Sequence, residues 1–168
     1  MMPSNSAQYW IEKLHMTAHP EGGWFTETFR DDRKVKAFNL KGELKEYAAS
    51  TAIYFLLDDQ SFSAFHRIGA AEAWHFYAGT GITIYSIDEA GNLKTVELGA
   101  SPELGQTHST VIPAGVWFAS RVNEPGGFAL CGCTVAPGFE FEEFELAAKN
   151  DLISRYPIHK NVIVGLTL

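Results

Sequence analysis

The stretch HRIGAAEAWHFYAG, residues 66–79, holds the pattern that decides the fold. It contains two short runs of strand-forming residues joined by a turn of small residues. On a β-strand, residues i and i+2 point to the same face, so His66 should share a face with Ile68, and Glu72 with Trp74. The stretch therefore predicts two strands that bring a histidine and a carboxylate into one interior.

Strand-like runs of the same kind recur along most of the chain, with glycine, proline, asparagine and aspartate between them. The runs cover residues 24–29, 50–57, 61–68, 73–78, 82–87, 95–98, 109–112, 116–122 and 128–135. No helical pattern separates these runs, which favours an all-β sandwich or barrel over alternating strands and helices.

Helical patterns are confined to the two ends of the chain. Ser6 can cap a first helix in which Trp10 and Leu14 belong to an apolar stripe. A second helical pattern covers residues 146–155, and residues 158–168 can form a further short helix or a strand. We therefore expect short helices before and after the β-structure.

The domain organisation follows from the absence of any linker, repeat or low-complexity tract. We predict one domain over residues 1–168, with the barrel over about residues 20–145 and a helical segment over about residues 146–168. Hydrophobic residues make up 46% of the chain, enough for one substantial core.

Charge argues against a nucleic-acid partner. The formal net charge is −7, whereas nucleic-acid binders present a basic patch. The one basic cluster, residues 30–36, includes Asp31 and Asp32, and we interpret it as a solvated turn. We expect no nucleic acid among the partners.

The hydropathy pattern predicts neither a membrane partner nor export. No apolar run reaches the ~20 residues that span a bilayer. The amino terminus, MMPSNSAQYW, lacks a basic segment followed by a long apolar one, so a signal peptide is not expected. These observations favour a cytoplasmic protein.

The first motif resembles that of the cupin superfamily. Cupins carry two histidines one residue apart, then a glutamate, then a glycine, and His66, Glu72 and Gly79 match three of these positions. Ile68 stands where the second histidine would be. The resemblance implies a double-stranded β-helix, the jelly-roll barrel, with an incomplete set of metal ligands.

The second motif strengthens the same resemblance. Cupins have a Pro-x-Gly corner followed by a third metal-binding histidine; Pro113 and Gly115 match, and Phe118 replaces the histidine. Further segments are similar to one cupin subfamily of unknown function, the Cupin-5 or DUF985 proteins. They cover residues 19–25, 65–67, 72–79, 113–119 and 137–144.

His66 and Glu72 are the candidate catalytic residues. His66 could act as a general base or a metal ligand, with Glu72 as its orienting or second acid-base group. Alternatively, His66 is a buried structural histidine that is hydrogen-bonded to Glu72. A divalent metal on His66, Glu72 and His75 is a further possibility, although the odd spacing from Glu72 to His75 places these two on opposite faces.

Other residues are candidates for ligand binding because aromatic walls with a few polar groups typify small-molecule pockets. The candidates are Glu21, Arg67, Trp74, Phe76, Tyr85, Trp117 and Phe118. His19 is expected to lie in an exposed loop beside Pro20 and receives little weight. Cys131 and Cys133 are interpreted as buried thiols that act as small hydrophobes.

Three functions remain open. The first is a metal-free protein that binds a small, partly apolar or sugar-like ligand. The second is an epimerase or isomerase with His66 as the base, and the third is a metal-dependent enzyme. Exposed sheet edges also predict a homodimer, with the strand at residues 24–29 as a pairing element.

Overall fold

The computed structural model describes residues 6–168, and strands dominate it. In chain order the elements are α1 (Ala7–Lys13), β1 (Thr17–Ala18), β2 (Trp24–Arg30), β3 (Lys34–Phe38), β4 (Leu44–Ala48), β5 (Thr51–Asp58), β6 (Phe62–Arg67), β7 (Ala71–Gly79), β8 (Ile82–Ile87), β9 (Leu93–Leu98), β10 (Ser109–Ile112), β11 (Trp117–Val122), β12 (Phe128–Ala136), β13 (Glu145–Leu146), α2 (Lys149–Arg155) and α3 (Lys160–Gly165). The all-β prediction with short terminal helices is confirmed.

All of these strands except β3 and β4 form two antiparallel sheets that face each other. The order is β1-β2-β5-β12-β7-β10 in the six-stranded sheet and β13-β6-β11-β8-β9 in the five-stranded sheet. Neighbours in a sheet are mostly distant in sequence, as in the pairing of β12 with both β5 and β7. This double-sheet arrangement is the jelly roll.

The core between the sheets comes from strict alternation along the strands. Phe55 and Trp74 from the six-stranded sheet pack in one cluster with Ile84 and Phe118 from the five-stranded sheet. Cys133 belongs to the same cluster, and both cysteines are free and buried, as the sequence suggests.

Helices cover the outer faces of both sheets. Helix α1 begins after Ser6, whose hydroxyl accepts a hydrogen bond from the Tyr9 amide, and its Trp10 packs outside the six-stranded sheet. Helices α2 and α3 cover the five-stranded sheet through Leu152 and Ile163. Helix α2 starts three residues later than the sequence pattern indicates.

The basic cluster at residues 30–36 differs from its prediction as a solvated turn. Strand β3 begins at Lys34 and pairs with β4 in a separate hairpin. Asp31 is buried, and the Arg33 guanidinium lies 2.6 Å from its carboxylate. The hairpin is exposed on most of its residues, and its short apolar pattern is interrupted by Lys34, Lys36 and Lys45.

Among residues 6–168, the helices are too short or too polar to cross a bilayer.

Candidate functional site

A cavity opens between the six-stranded sheet, strand β6 and the segment at residues 139–144. It holds about 610 Å³ of space, its open mouth included. Its lining is mainly apolar and includes five phenylalanines together with two histidines, three glutamates and one arginine. The polar and aromatic residues are His19, Glu21, Phe25, Glu27, Arg30, Thr51, Phe55, His66, Glu72, Trp74, Phe139, Phe141 and Phe144.

His66 lies on β6 with its ring sealed in the interior. Its Nδ1 is 2.7 Å from the carbonyl oxygen of Ala64, which can only accept, so Nδ1 carries the proton. The ring packs on Phe118, with 4.1 Å between centroids. Desolvation is the main reason that the pKa of His66 falls to about 3. His66 is therefore a neutral imidazole whose Nε2 is an acceptor.

Glu21 is the partner of that acceptor. Its Oε2 lies 3.2 Å from Nε2 of His66, and its Oε1 accepts a hydrogen bond from the Ser63 hydroxyl at 2.7 Å. Burial, and then the charge of Glu72, raise the pKa of Glu21 well above its ordinary value, while the Ser63 bond opposes the rise. Glu21 is thus a carboxylic acid that keeps its proton and donates a hydrogen bond to Nε2 of His66.

A tight turn before β2 places Glu21. The Gly22 amide donates to the His19 carbonyl at 3.0 Å, and the Glu21 carbonyl accepts from the Ala64 amide at 2.8 Å. Gly22 has φ of +111°, and a Cβ there would collide with the carbonyl oxygen of Phe62. The glycine lets the turn press against β6 and hold Glu21 inside.

His19 also lies in the cavity, and its prediction as an exposed loop residue is wrong. Only 6% of its side chain is exposed, and the ring meets Phe25 edge-on at 4.8 Å. Its Nδ1 accepts a hydrogen bond from the Glu21 amide at 3.3 Å. Desolvation lowers the pKa of His19 to about 4, so it too is neutral. The turn folds back toward the interior, which adjacency to a proline does not reveal.

Glu72 enters the cavity from β7, in the opposite sheet. It is buried, and desolvation raises its pKa to about 7 although the neighbouring Trp74 indole and Cys133 thiol oppose the rise. Within residues 6–168, Oε2 of Glu72 and Nε1 of Trp74 have no hydrogen-bond partner of good geometry. Glu72 therefore changes charge near neutral pH and has an unused oxygen.

The interior histidine–carboxylate pair differs from the one expected. His66 and Glu72 line the same cavity, but the carboxylate in contact with His66 belongs to Glu21. His66 pairs across its own sheet with Phe118, whereas Glu72 lies on a strand of the other sheet. Sequence spacing along residues 66–72 could not show that a distant turn supplies the nearer carboxylate.

Three candidate ligand-binding residues lie outside the cavity. Arg67 stacks over the Trp117 ring at 4.6 Å and lies 2.8 Å from the Glu145 carboxylate. Trp117 and Tyr85 pack in the outer cluster beneath helices α2 and α3. Arg67 follows the inward His66 directly, so strand alternation turns it outward.

The remaining candidates divide between the cavity and the core. Glu21 and Trp74 line the cavity. Phe118 packs on His66 from the core side, and Phe76 packs against the same core cluster.

The residues of the proposed metal set do not fit a metal ion. His75 pairs across the strands with Ser109 and is not part of the cavity lining. Within the described part of the chain, no three His, Cys, Asp or Glu side chains are grouped so that they could hold a metal.

Several cavity residues were not singled out by the sequence. Phe139, Phe141 and Phe144 come from the segment after β12, and Phe25 and Arg30 come from β2. The alternating phenylalanines of PGFEFEEF, residues 137–144, were a usable signal because every second or third residue is a large aromatic.

Comparisons with known proteins identify relatives along the whole fold. The model of the family described as cupin superfamily (DUF985) matches residues 8–147. The structure of a hypothetical protein from Leishmania major covers 97% of this chain and 99% of its own, with 32% identity and a TM-score of 0.88. The structure of a Shewanella oneidensis protein is 36% identical to this chain, with a TM-score of 0.87 and 98% of each chain covered.

A curated relative adds sequence support. An uncharacterised protein of Saccharomyces cerevisiae is 30% identical over 152 residues, which are 84% of this chain and 75% of that protein. Bacillus subtilis oxalate decarboxylase matches 90% of this chain and 37% of its own at 14% identity, with a TM-score of 0.53, which shows a shared fold alone. The chain belongs to the DUF985 family of the cupin superfamily.

Proposed function

We propose that the cavity binds a small, partly apolar molecule and that Glu72 is its polar contact. The observation that carries this proposal is an aromatic-walled cavity with a buried carboxyl group whose Oε2 has no hydrogen-bond partner of good geometry within residues 6–168. A buried polar atom without a partner is costly, and a ligand atom can remove that cost.

The lining favours a compact and largely apolar ligand over a free sugar. The wall includes five phenyl rings, those of Phe25, Phe55, Phe139, Phe141 and Phe144. A sugar hydroxyl buried against such rings would lose its hydrogen bonds to water without replacement. The hydrocarbon part of a ligand gains from the same contacts.

Thermal unfolding with a panel of small molecules tests this proposal. A true ligand at 100 times its Kd should stabilise the protein by about 2.7 kcal/mol, with a midpoint that follows ligand concentration. The variant Ile53→Phe fills the cavity and should abolish the effect, whereas Ile158→Phe, at an exposed site, should not. No response to a broad panel, or an equal response in Ile53→Phe, would reject the proposal.

A second candidate is an acid-base enzyme of the isomerase class. It is favoured by the pKa of Glu72 at about 7, where a carboxyl group serves both as base and as acid. The Glu72 carboxylate would take a proton from a carbon beside a carbonyl group and return it at another face or position. His66 has its lone pair engaged by Glu21, so Glu72 replaces it as the base.

Deuterium exchange distinguishes the enzyme from the binding protein. A substrate should gain solvent deuterium at the reacting carbon with the wild type and lose this exchange with Glu72→Gln, while still binding. Binding without exchange under all conditions would leave the protein as a binder.

We also propose that the protein is a homodimer. Strand β2 pairs with β1 only through Trp24 and Phe25, which leaves one edge of its second half without a neighbour in the described structure. Phe29 in that half is 50% exposed. Gel filtration at micromolar concentration should give a dimer, and a monomer would refute this proposal.

A further inference from the structure

We propose that the ligand of this cavity is a small organic cation, an alkylammonium whose charged group lies against Glu72. The inference rests on the binding function proposed above and adds the charge of the ligand. The charged side chains around the cavity and the aromatic rings of its walls both favour a cationic ligand.

Among the described residues, the buried side chains that line the cavity include two glutamates and no lysine or arginine, since the Arg30 side chain is 36% exposed. Glu21 and Glu72 are both buried in it, and they repel each other when ionised. The two histidines that line it with them, His19 and His66, are neutral. A carboxylate without a cation partner is costly in such an environment. A cationic ligand would supply what the interior lacks.

The arginine at the mouth is already engaged. Arg30 donates to both carboxylate oxygens of Glu27, to Oε1 of Glu140 at 2.7 Å and to the carbonyl oxygen of Phe139 at 3.2 Å. Two carboxylates therefore share one guanidinium, so these three side chains together carry a net negative charge. An anionic ligand would have to displace these contacts, whereas a cation would be attracted.

The aromatic walls fit a cation as well as a hydrocarbon chain. His19 lies among Phe25, Phe141 and Phe144 at centroid distances of 4.8–5.7 Å, so the rings crowd around one end of the cavity. The faces of such rings attract ammonium groups, and more strongly when water is excluded. Oε2 of Glu72, which has no hydrogen-bond partner of good geometry in residues 6–168, supplies the directed contact.

Three probes that share an isobutyl group and differ in charge test the charge directly on the wild type: isobutylammonium, isobutanol and isovalerate. Their affinities can be measured by NMR titration of the Ile53, Ile68 and Val135 methyl groups, which line the cavity. At about pH 8, where Glu72 is mostly ionised, isobutylammonium should bind at least about tenfold more tightly than isobutanol. Isovalerate should bind most weakly.

A pair of variants locates the interaction. Glu72→Gln should weaken isobutylammonium about tenfold or more and change isobutanol by less than about twofold. Glu46→Gln, on the exposed hairpin strand β4, removes the same charge away from the cavity and should leave both affinities unchanged. Thermal unfolding of both variants establishes that they fold.

The outcomes separate this inference from the binding function. Isobutanol binding as tightly as isobutylammonium would overturn the cationic ligand and retain the cavity as a binding site. Tighter binding of isovalerate would have the same consequence. Failure of every probe to shift the three methyl groups would count against both proposals.

Discussion

Nε2 of His66 lies 3.2 Å from Oε2 of Glu21, and both groups are neutral. The Ala64 carbonyl fixes the proton of His66 on Nδ1, so the proton between the two side chains belongs to Glu21. The pair joins the turn before β2 to β6 and forms part of the cavity lining. Glu72 is then the group with freedom to respond to a ligand.

The first prediction concerns Ser63, which holds the second oxygen of Glu21. Ser63→Ala leaves Oε1 of Glu21 buried without its donor, so the free energy of unfolding should fall by about 1–3 kcal/mol. Urea unfolding measures the change, and Ser154→Ala, on the exposed side of α2, is the matched control. A loss no larger than that of the control would contradict the role given to this bond.

The second prediction concerns Gly22. The Cβ of an alanine at this position would collide with the Phe62 carbonyl oxygen, and its backbone would have to adopt a φ of +111°. Gly22→Ala should therefore lower the free energy of unfolding by about 3 kcal/mol or more. Gly42 also has a positive φ, of +77°, but open space around its Cβ position, so Gly42→Ala should cost only about 1 kcal/mol. Equal losses in the two variants would show that the turn does not press against β6.

The third prediction is a pH dependence carried by Glu72. Its pKa is raised to about 7 in the folded protein, so its stabilising protonated form is fully present below its unfolded pKa and is lost as pH rises toward 7 and beyond. The charged and titratable neighbours Glu21 and Cys133 face the same site. Wild type should therefore lose stability relative to Glu72→Gln as pH rises from about 4 to 8, by up to about 3 kcal/mol.

His19 and His66 act in the opposite direction. Their lowered pKa values mean that the unfolded chain binds protons first as pH falls, so stability drops from about pH 6.5 toward pH 4 and 3. Comparing wild type with Glu72→Gln at each pH cancels this shared contribution. Parallel stability curves for the two proteins would refute the raised pKa of Glu72.

The fourth prediction concerns Ile163, a residue of helix α3 that should contribute to stability and not to ligand binding. Ile163 of α3 is fully buried in the outer cluster, away from the cavity lining. Ile163→Ala should lower the free energy of unfolding by about 2–5 kcal/mol and leave ligand affinity unchanged in the folded protein. A loss of affinity without a loss of stability would place α3 in the site.

Strand alternation made much of the fold accessible to sequence reasoning. The run at residues 82–87 and the run at residues 109–112 coincide with β8 and β10, because each is a short run rich in β-branched residues between breaks in the strand pattern. The exposed hairpin of β3 and β4 was missed, because lysines and a glutamate interrupt its apolar residues and most of its residues are exposed. Pairing order depends on contacts between distant strands, and local pattern carries no information about them.

The site was only partly accessible for the same reason. His66, Glu72 and Trp74 were found because they share strand faces with the core. His19 and Glu21 reach His66 through a turn whose direction depends on Gly22 and on contacts with β6. The spacing of residues along the sequence cannot show that this turn packs against β6.

Intermolecular NOEs between isobutylammonium and the methyl groups of the wild-type protein test the central claim, ligand binding in this cavity. We predict NOEs to Ile53, Ile68 and Val135, which line the cavity, and none to Ile163 in the outer cluster. NOEs confined to Ile163 or to other methyl groups outside the cavity, or none at saturating ligand, would contradict the account.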